Sequence, residues 1–408
     1  MTVIKVAILG FGTVGEGVYR TIQSHAKELT AVLGKKVEVA AILIKKQREV
    51  MNISKDILLT TDFEEILGLP QLDIVMEAIV GTEPAFTYLE KAIKRGCHII
   101  TANKEMFARH GEELLTLAEK HKVSIGFEAT VAGGIPVIQT LRQLLKINRV
   151  QEIQGILNGT SNFILTKMRE NKQSFSEALQ SAKEKGYAEA DPSNDVEGYD
   201  ALYKTVILSR IAFGRDPVWQ QPKPEGITAI TSELIASAEK IGLRFKHIAH
   251  LRKSGTAVTG TIQPMLVGDE HPLYHVEGVE NAVNVHSDLI GRITLQGPGA
   301  GMFPTASAMI EDLVYVCENR SLPLTQAPAF SNTIAERAES SNSFWFVHGD
   351  LADLPGSKFT LIEKVGESTF VFEAEREEID MLTVESGSIR AFPIHGFSPS
   401  PALMASIR

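Results

Sequence analysis

The sequence predicts an α/β chain in which an N-terminal doubly wound parallel sheet is followed by an α+β region and a short β-rich tail. Three observations carry this expectation. Short β-rich apolar runs alternate with longer helical ones from Val3 to about Ile125, the pattern of a parallel sheet covered by helices. A glycine motif directly follows the first of these runs. Beyond Gly126 the chain turns rich in Gly and Ala and the regular alternation stops.

In the first region Val3–Leu9, Val37–Ile44, Asp73–Ala78, His98–Thr101 and Val123–Phe127 read as strands. Val14–Ala31, Pro84–Arg95 and Gly111–Lys120, longer and periodic at helical spacing, read as crossover helices. Further on, a helical stretch ends at Leu145, and Val150–Leu157 reads as a strand closed by Asn158-Gly159. Ser176–Lys185, Asp195–Phe213 and Ile230–Ile241 read as helices, and Ala257–Val267, His275–Val285 and Gly291–Leu295 as strands of a largely antiparallel sheet. Pro217–Pro224, with three prolines, reads as a surface loop. Gly297-Pro298-Gly299-Ala300-Gly301 leads into an apolar helix, Thr305–Val316, that can return to the first domain. In the tail, Phe344–Val347, Thr369–Phe372 and Ser388–Ile394 are candidate strands.

Composition narrows the function classes. At 408 residues and about 150 residues per domain, two to three domains are expected. Hydrophobic residues at 44% and charged residues at 22% are those of a folded globular protein. With 41 Lys+Arg against 50 Asp+Glu the net charge is −9, and no basic run offsets it locally, which argues against nucleic acid and anionic membranes as partners. Cys97 and Cys317 are the only cysteines and have no CxxC spacing, so neither a disulfide framework nor a cysteine zinc site is expected. The N-terminus runs as a strand straight into the glycine motif, unlike a signal peptide. No apolar run approaches the ~20 residues of a membrane span, so a soluble, cytoplasmic protein is expected.

Gly10-Phe11-Gly12-Thr13-Val14-Gly15 is a G-x-G-x-x-G run between a strand and a helix. Its glycines allow a tight turn, close approach to a pyrophosphate and close helix packing, and the free N–H groups at the helix start attract phosphate. A Rossmann-type dinucleotide site is therefore expected. NAD-selective sites carry an acidic residue at the end of the second strand; here that strand ends in Lys45-Lys46. Two ammonium groups favour the 2′-phosphate of NADPH over NADH, although a solvated loop would look the same. Lys104, in Thr101-Ala102-Asn103-Lys104, follows a strand at the carboxyl edge of the sheet, where such folds bind ligands; a plain surface lysine also fits that position.

Asp200 and Lys204 are spaced i, i+4 and share an arc with Ile207, Leu208 and Ile211, so the pair lies within an apolar stripe. A buried or cleft-facing pair is implied. Burial lowers and a carboxylate raises a lysine pKa, so the two together can poise it for proton transfer; a structural ion pair is the equal alternative. His247 with His250 and His271 with His275 have ligand-like spacing, but the first pair lies among basic residues and Pro272 interrupts the second. These read as satisfied or solvated histidines. Cys97, at a helix-to-strand turn with no activating histidine, reads as a structural thiol.

The glycine run, Thr101–Lys104, Glu128-Ala129-Thr130-Val131-Ala132-Gly133-Gly134-Ile135-Pro136, Gly155–Asn162, Gly186-Tyr187-Ala188-Glu189-Ala190-Asp191-Pro192, Asp195–Asp200 with Lys204, and Gly297–Ala308 together resemble homoserine dehydrogenase over about residues 3–320. The resemblance implies interconversion of L-aspartate 4-semialdehyde and L-homoserine with NAD(P)H, on the route to threonine, methionine and isoleucine. It implies Lys204 as proton donor to the alkoxide, Asp200 and Glu189 at the substrate's ammonium group, and Lys104 between nicotinamide and substrate. Phe11, Thr13, Val14, Gly186, Glu189 and Gly301 join Gly10, Gly12 and Gly15 at the cofactor. A monovalent cation, Na+, is implied at Glu128, Val131, Gly133 and Ile135, held by oxygen ligands that suit a hard cation.

The same resemblance divides the chain into a nucleotide domain at 1–127 completed by a helix at about 302–320, a substrate and dimerisation domain at 128–301, and a C-terminal region at 321–408. A homodimer or homotetramer is implied. Many bacterial members end in an effector-binding ACT domain; here Phe344–Val347 and Asp353-Leu354-Pro355-Gly356 resemble it only faintly, and a shortened or divergent tail is expected. The competing functions are a non-catalytic NADPH-binding regulator and the related aspartate-semialdehyde dehydrogenase, which needs a cysteine nucleophile.

Overall fold

The computed structural model describes residues 3–46, 53–144, 146–318, 343–350 and 359–397. In chain order the elements are β1 (Val3–Leu9), α1 (Thr13–Ser24), α2 (Ala26–Leu33), β2 (Lys36–Leu43), β3 (Leu58–Thr60), α3 (Phe63–Leu67), β4 (Ile74–Glu77), α4 (Ala85–Arg95), β5 (His98–Thr101), α5 (Lys104–His121), β6 (Ile125–Gly126), a 3-10 turn (Glu128–Thr130) and α6 (Val137–Leu144). They continue with β7 (Val150–Ile156), α7 (Gly159–Glu170), α8 (Phe175–Glu184), α9 (Ser193–Val196), α10 (Tyr199–Phe213), β8 (Val218–Trp219), α11 (Ser232–Lys240), β9 (Arg244–Ser254), β10 (Ala257–Val267), β11 (Glu280–Ser287), β12 (Gly291–Pro298) and α12 (Met302–Glu318). The tail holds β13 (Ser343–His348), β14 (Thr360–Lys364), β15 (Thr369–Ala374), α13 (Arg376–Glu385) and β16 (Arg390–His395).

The chain forms two compact units. The first runs to Arg149 and adds Tyr203–Asp216 and the segment from Gly297 through α12; the second holds Val150–Leu202, Pro217–Gln296 and the tail strands. The division falls at Arg149/Val150, later in the chain than the change in composition after Gly126, because the 3-10 turn and α6 stay with the first unit.

In the first unit six parallel strands lie in the order β3-β2-β1-β4-β5-β6. The chain leaves β1 toward β2 and returns to its other side at β4, so the order reverses there, and ligands bind outside the carboxyl ends of strands at such a point. The core joins Ile8, Ile42, Met76 and Ile100 of the sheet to Val18 and Ile22 of α1 and to Met309 and Leu313 of α12. The expected single helix Val14–Ala31 is two, broken at His25. The helix expected from Gly111 begins seven residues earlier, because the Asn103 side chain accepts from Met106 N and caps it.

The second unit is built on ten strands ordered β12-β11-β7-β9-β10-β16-β13-β15-β14, with β8 also on β10. β9, a segment rich in basic residues that no strand expectation covers, pairs antiparallel with β10 along eleven residues. Pro217–Pro224 is not wholly loop, since Val218 and Trp219 pair with Thr259 and Gly260. The expected helix Asp195–Phe213 is interrupted at Gly198, whose φ of +88° is not helical. The tail continues the same sheet: β16 runs parallel to β10 through Leu266–Ile394 and Val267–His395. Phe346, Phe392 and Ile394 enter the core formed with Phe163, Leu234 and Phe245, while Trp345, Phe370 and Phe372 face Ile379 and Leu382 of α13. This two-residue alternation buries both faces of the tail sheet. β14 and α13 were not anticipated, and Asp353–Gly356 lies outside the described residues.

Candidate active site

The strand-to-helix turn in the first unit has the geometry the glycines imply. Gly10 has φ +90°, and a Cβ there would stand 2.7 Å from Ala78 O, so the turn abuts the carboxyl end of β4. A Cβ on Gly15 would collide with Gly10 O, whereas one on Gly12 would meet nothing within 4 Å. Gly12 is the N-cap of α1, so open space faces the free N–H groups of the helix start. Phe11 is only 7% exposed and packs edge-on against Tyr19 at 6.0 Å, so its side chain belongs to the core. Thr13 is exposed and Val14 half-buried. Lys45 and Lys46 are both exposed at the end of β2. Gly301, φ +123°, precedes α12, which packs on α1 within the same unit.

Next to this turn, the ends of β4 and β5 carry a buried polar network that the sequence reading missed. Glu77, fully buried, accepts from Thr101 Oγ1 at 2.5 Å and Ile79 N at 2.6 Å. Burial outweighs these donors and pushes its pKa up to about 7. Asn103 Nδ2 donates to Ile79 O at 3.0 Å and Gly81 O at 2.7 Å, and lies 3.4 Å from Glu77 Oε1. Lys104, half-buried, is therefore the first residue of a capped helix. An acidic residue closing the apolar run Ile74-Val75-Met76 was the available signal for Glu77.

Asp200 is 4% and Lys204 7% exposed, as the apolar stripe required. Tyr203, beside Lys204, lies 3.4 Å from Glu105 Oε1 and accepts from Arg109 at 3.3 Å, and Arg210 donates to Ala108 O at 2.7 Å. The stretch of α10 that carries Lys204 is thereby tied to the helix that Lys104 opens, within one unit.

In the second unit Asn158, the N-cap of α7, donates through Nδ2 to Asp200 Oδ2 at 2.9 Å and to Asp195 Oδ1 at 2.7 Å, while its Oδ1 accepts from Ser161 N at 2.8 Å. One amide thus bridges two carboxylates and caps a helix, which an aspartate there could not do. His247 is buried behind Gly198 with Nε2 2.9 Å from Glu225 O; burial holds its pKa down against the charge of Asp200. Gly186, φ +72°, and Glu189 are exposed in the loop after α8.

Glu128 accepts from Ile138 N and Gln139 N at the start of α6, both at 2.8 Å, and its own N–H donates to Asp312 Oδ2 at 2.7 Å. Burial and the neighbouring Glu128 charge push Asp312 up to about 7. Ala132 and Gly133 both have positive φ, bending the chain between Val131 and Ile135. Among the described residues no group of three or more His, Cys, Asp or Glu side chains is placed to hold a metal. His250 meets Glu152 at 2.6 Å and His271 meets Gln154 at 2.8 Å, and His275 is exposed. Cys97 is fully buried, with its thiol raised to about 11 by burial, so it offers no thiolate to the rival thioester chemistry.

The glycine turn at the reversal point of a six-stranded parallel sheet, with open space before the start of α1, defines a dinucleotide-binding class of protein. Residues 10–128 match the family model for the homoserine dehydrogenase NAD binding domain, and residues 136–314 match that for homoserine dehydrogenase. The chain is 41% identical to homoserine dehydrogenase of Bacillus subtilis (strain 168), over 80% of this chain and 75% of that one. The chain belongs to the homoserine dehydrogenase family. The crystal structure of a homoserine dehydrogenase from Thiobacillus denitrificans superimposes with a TM-score of 0.85 at 31% identity, covering 97% of this chain and 99% of that one. A hyperthermophilic archaeal homoserine dehydrogenase in complex with NADPH gives 0.67 at 26% identity, covering 79% of this chain and 100% of that one.

Proposed function

We propose that this oxidoreductase interconverts L-aspartate 4-semialdehyde and L-homoserine, with NADPH preferred over NADH and Lys204 as the proton donor. The observation that carries this reading is the burial of Asp200 and Lys204 one turn apart on a helix held against the start of α5. The dinucleotide, bound at Gly10–Gly15 and Gly301, supplies the hydride. As charge develops on the aldehyde oxygen, the Lys204 ammonium stabilises it and then donates its proton. In the reverse direction Lys204 accepts the hydroxyl proton, which favours alkaline pH. Asp200, held by Asn158, and Glu189 bind the substrate's ammonium, and Lys104 serves binding or proton relay.

The exposed Lys45 and Lys46 support a 2′-phosphate, as does the relative that binds NADPH. Na+ is proposed at Glu128, Val131, Gly133 and Ile135; the support is an oxygen-only donor set on a sharply bent segment. A homodimer or homotetramer is proposed from the family. The tail is proposed as a divergent ACT-like module: its fourth and third strands flank its first, with α13 joining the third to the fourth.

The test is NADPH absorbance at 340 nm with L-aspartate 4-semialdehyde, for wild type and folded Lys204→Ala. Oxidation by wild type that disappears in the variant supports the reaction and its proton donor. Tight NADPH binding without turnover by wild type means a cofactor-sensing regulator.

A further inference from the structure

β4 and β5 end side by side, and the last residue of each, Glu77 and Thr101, is completely buried and polar. Burying a carboxyl costs free energy, and an apolar residue would hold two parallel strands together without that cost. The network is directed outward, at the segments leaving the sheet. Glu77 takes the Ile79 amide, Asn103 takes the carbonyls of Ile79 and Gly81, and Asn103 caps α5 through Met106 N. Thr101 Oγ1 closes the circuit by accepting from Asn103 N at 3.0 Å while donating to Glu77. Held between these bonds, Val80 projects an apolar side chain that is 95% exposed.

The strand order says what passes over this loop. The adenosine ribose is read at the end of β2 and the pyrophosphate at the turn after β1. With β1 lying between β2 and β4, the remainder of the dinucleotide runs toward β4 and β5. We propose that Glu77 is a positioning residue for the nicotinamide half of the cofactor: through Ile79, Thr101 and Asn103 it presets the 79–81 loop and the first turn of α5, and so Val80 and Lys104. This rests on the dinucleotide reading of Gly10–Gly15.

The experiment is titration calorimetry of wild type, Glu77→Ala, Glu77→Gln and Thr101→Val with NADPH and with 2′-phospho-ADP-ribose, which lacks the nicotinamide. In Glu77→Ala the buried donors lose their acceptor, so NADPH should bind about tenfold more weakly or worse while 2′-phospho-ADP-ribose is unaffected. Glu77→Gln, nearly isosteric and still an acceptor for Ile79 N, should recover most of the loss. Thr101→Val keeps the volume and removes the hydroxyl, so it should weaken NADPH selectively, and it decides the matter should Glu77→Ala not fold. Equal weakening of both ligands, or no change in folded variants, overturns the proposal. A wild type that binds neither these ligands nor NADH and ADP-ribose overturns the dinucleotide reading itself, and this inference with it.

Discussion

The Asn158 amide donates to the Asp200 carboxylate at 2.9 Å across 42 residues of chain. Because the second amide hydrogen goes to Asp195, Asn158 fixes the orientation of Asp200 while capping α7. Asn158→Ala should cost about 1–3 kcal/mol of stability from the lost cap and the stranded acceptors. It should also raise KM for homoserine more than it lowers kcat. Urea denaturation and steady-state kinetics check the two parts; an unchanged KM in a folded variant would show that Asn158 does not position Asp200 for substrate.

Lys45 and Lys46 are exposed at the end of β2, so their contribution to cofactor choice is separable from the fold. Replacing both with Ala should lower the preference for NADPH over NADH about tenfold with kcat unaffected. The ratio of kcat/KM for the two cofactors measures it, and an unchanged ratio would mean the lysines are only solvated.

The seam between β10 and the tail is a histidine cluster. The His395 ring lies 5.7 Å from that of His250 and 6.1 Å from that of His271. Burial, reinforced by His250 and His271, holds His395 down to about 3, and burial with Arg292 holds His271 down to about 4. A histidine whose folded pKa lies below its unfolded value of about 6.5 leaves the folded state short of protons as pH falls. Its stabilising effect is therefore complete above pH 6.5 and is lost as pH drops toward 4. Amide protection factors at Val267, Gly268 and His395, corrected for the slower intrinsic exchange at lower pH, should fall at pH 5 relative to pH 7. In His395→Phe this loss of protection should largely vanish.

Lys246 is 1% exposed and donates to Val276 O at 2.5 Å. Glu277 neutralises it at 3.2 Å together with Arg244 at 2.9 Å and Arg169 at 3.1 Å. Burial nonetheless lowers the lysine to about 8. Glu277→Ala should strand the buried ammonium and cost about 3–5 kcal/mol, whereas Lys246→Met should cost far less. Chemical denaturation of the two variants checks the order, and equal losses would overturn the stranded-charge account.

What was legible in the chain was local. The strand bounds of β1, β5 and β10 follow from residue type and period, and the glycine turn from its spacing. β9 was hidden because Arg244, Lys246, His247 and His250 look solvated, although Phe245, Ala249 and Leu251 alternate as a half-buried strand should. Only the folded chain brings Glu277 to Lys246. α13 carries its own local signals, Ile379 and Leu382 at helical spacing behind a Glu375–Glu378 capping box.

By itself the sequence determined the dinucleotide turn, the α/β class, the buried placement of Asp200 and Lys204, and membership of the family, since all of these depend on short-range pattern or contiguous motif. The tertiary structure alone decided that Asn158 holds Asp200, that Glu77 organises the ends of β4 and β5 with Thr101 24 residues away, and that the tail extends the second sheet. Hydrophobic period records which face of an element is buried, whereas the partner of a buried polar group is chosen by chain topology, which brings together residues that no local pattern connects.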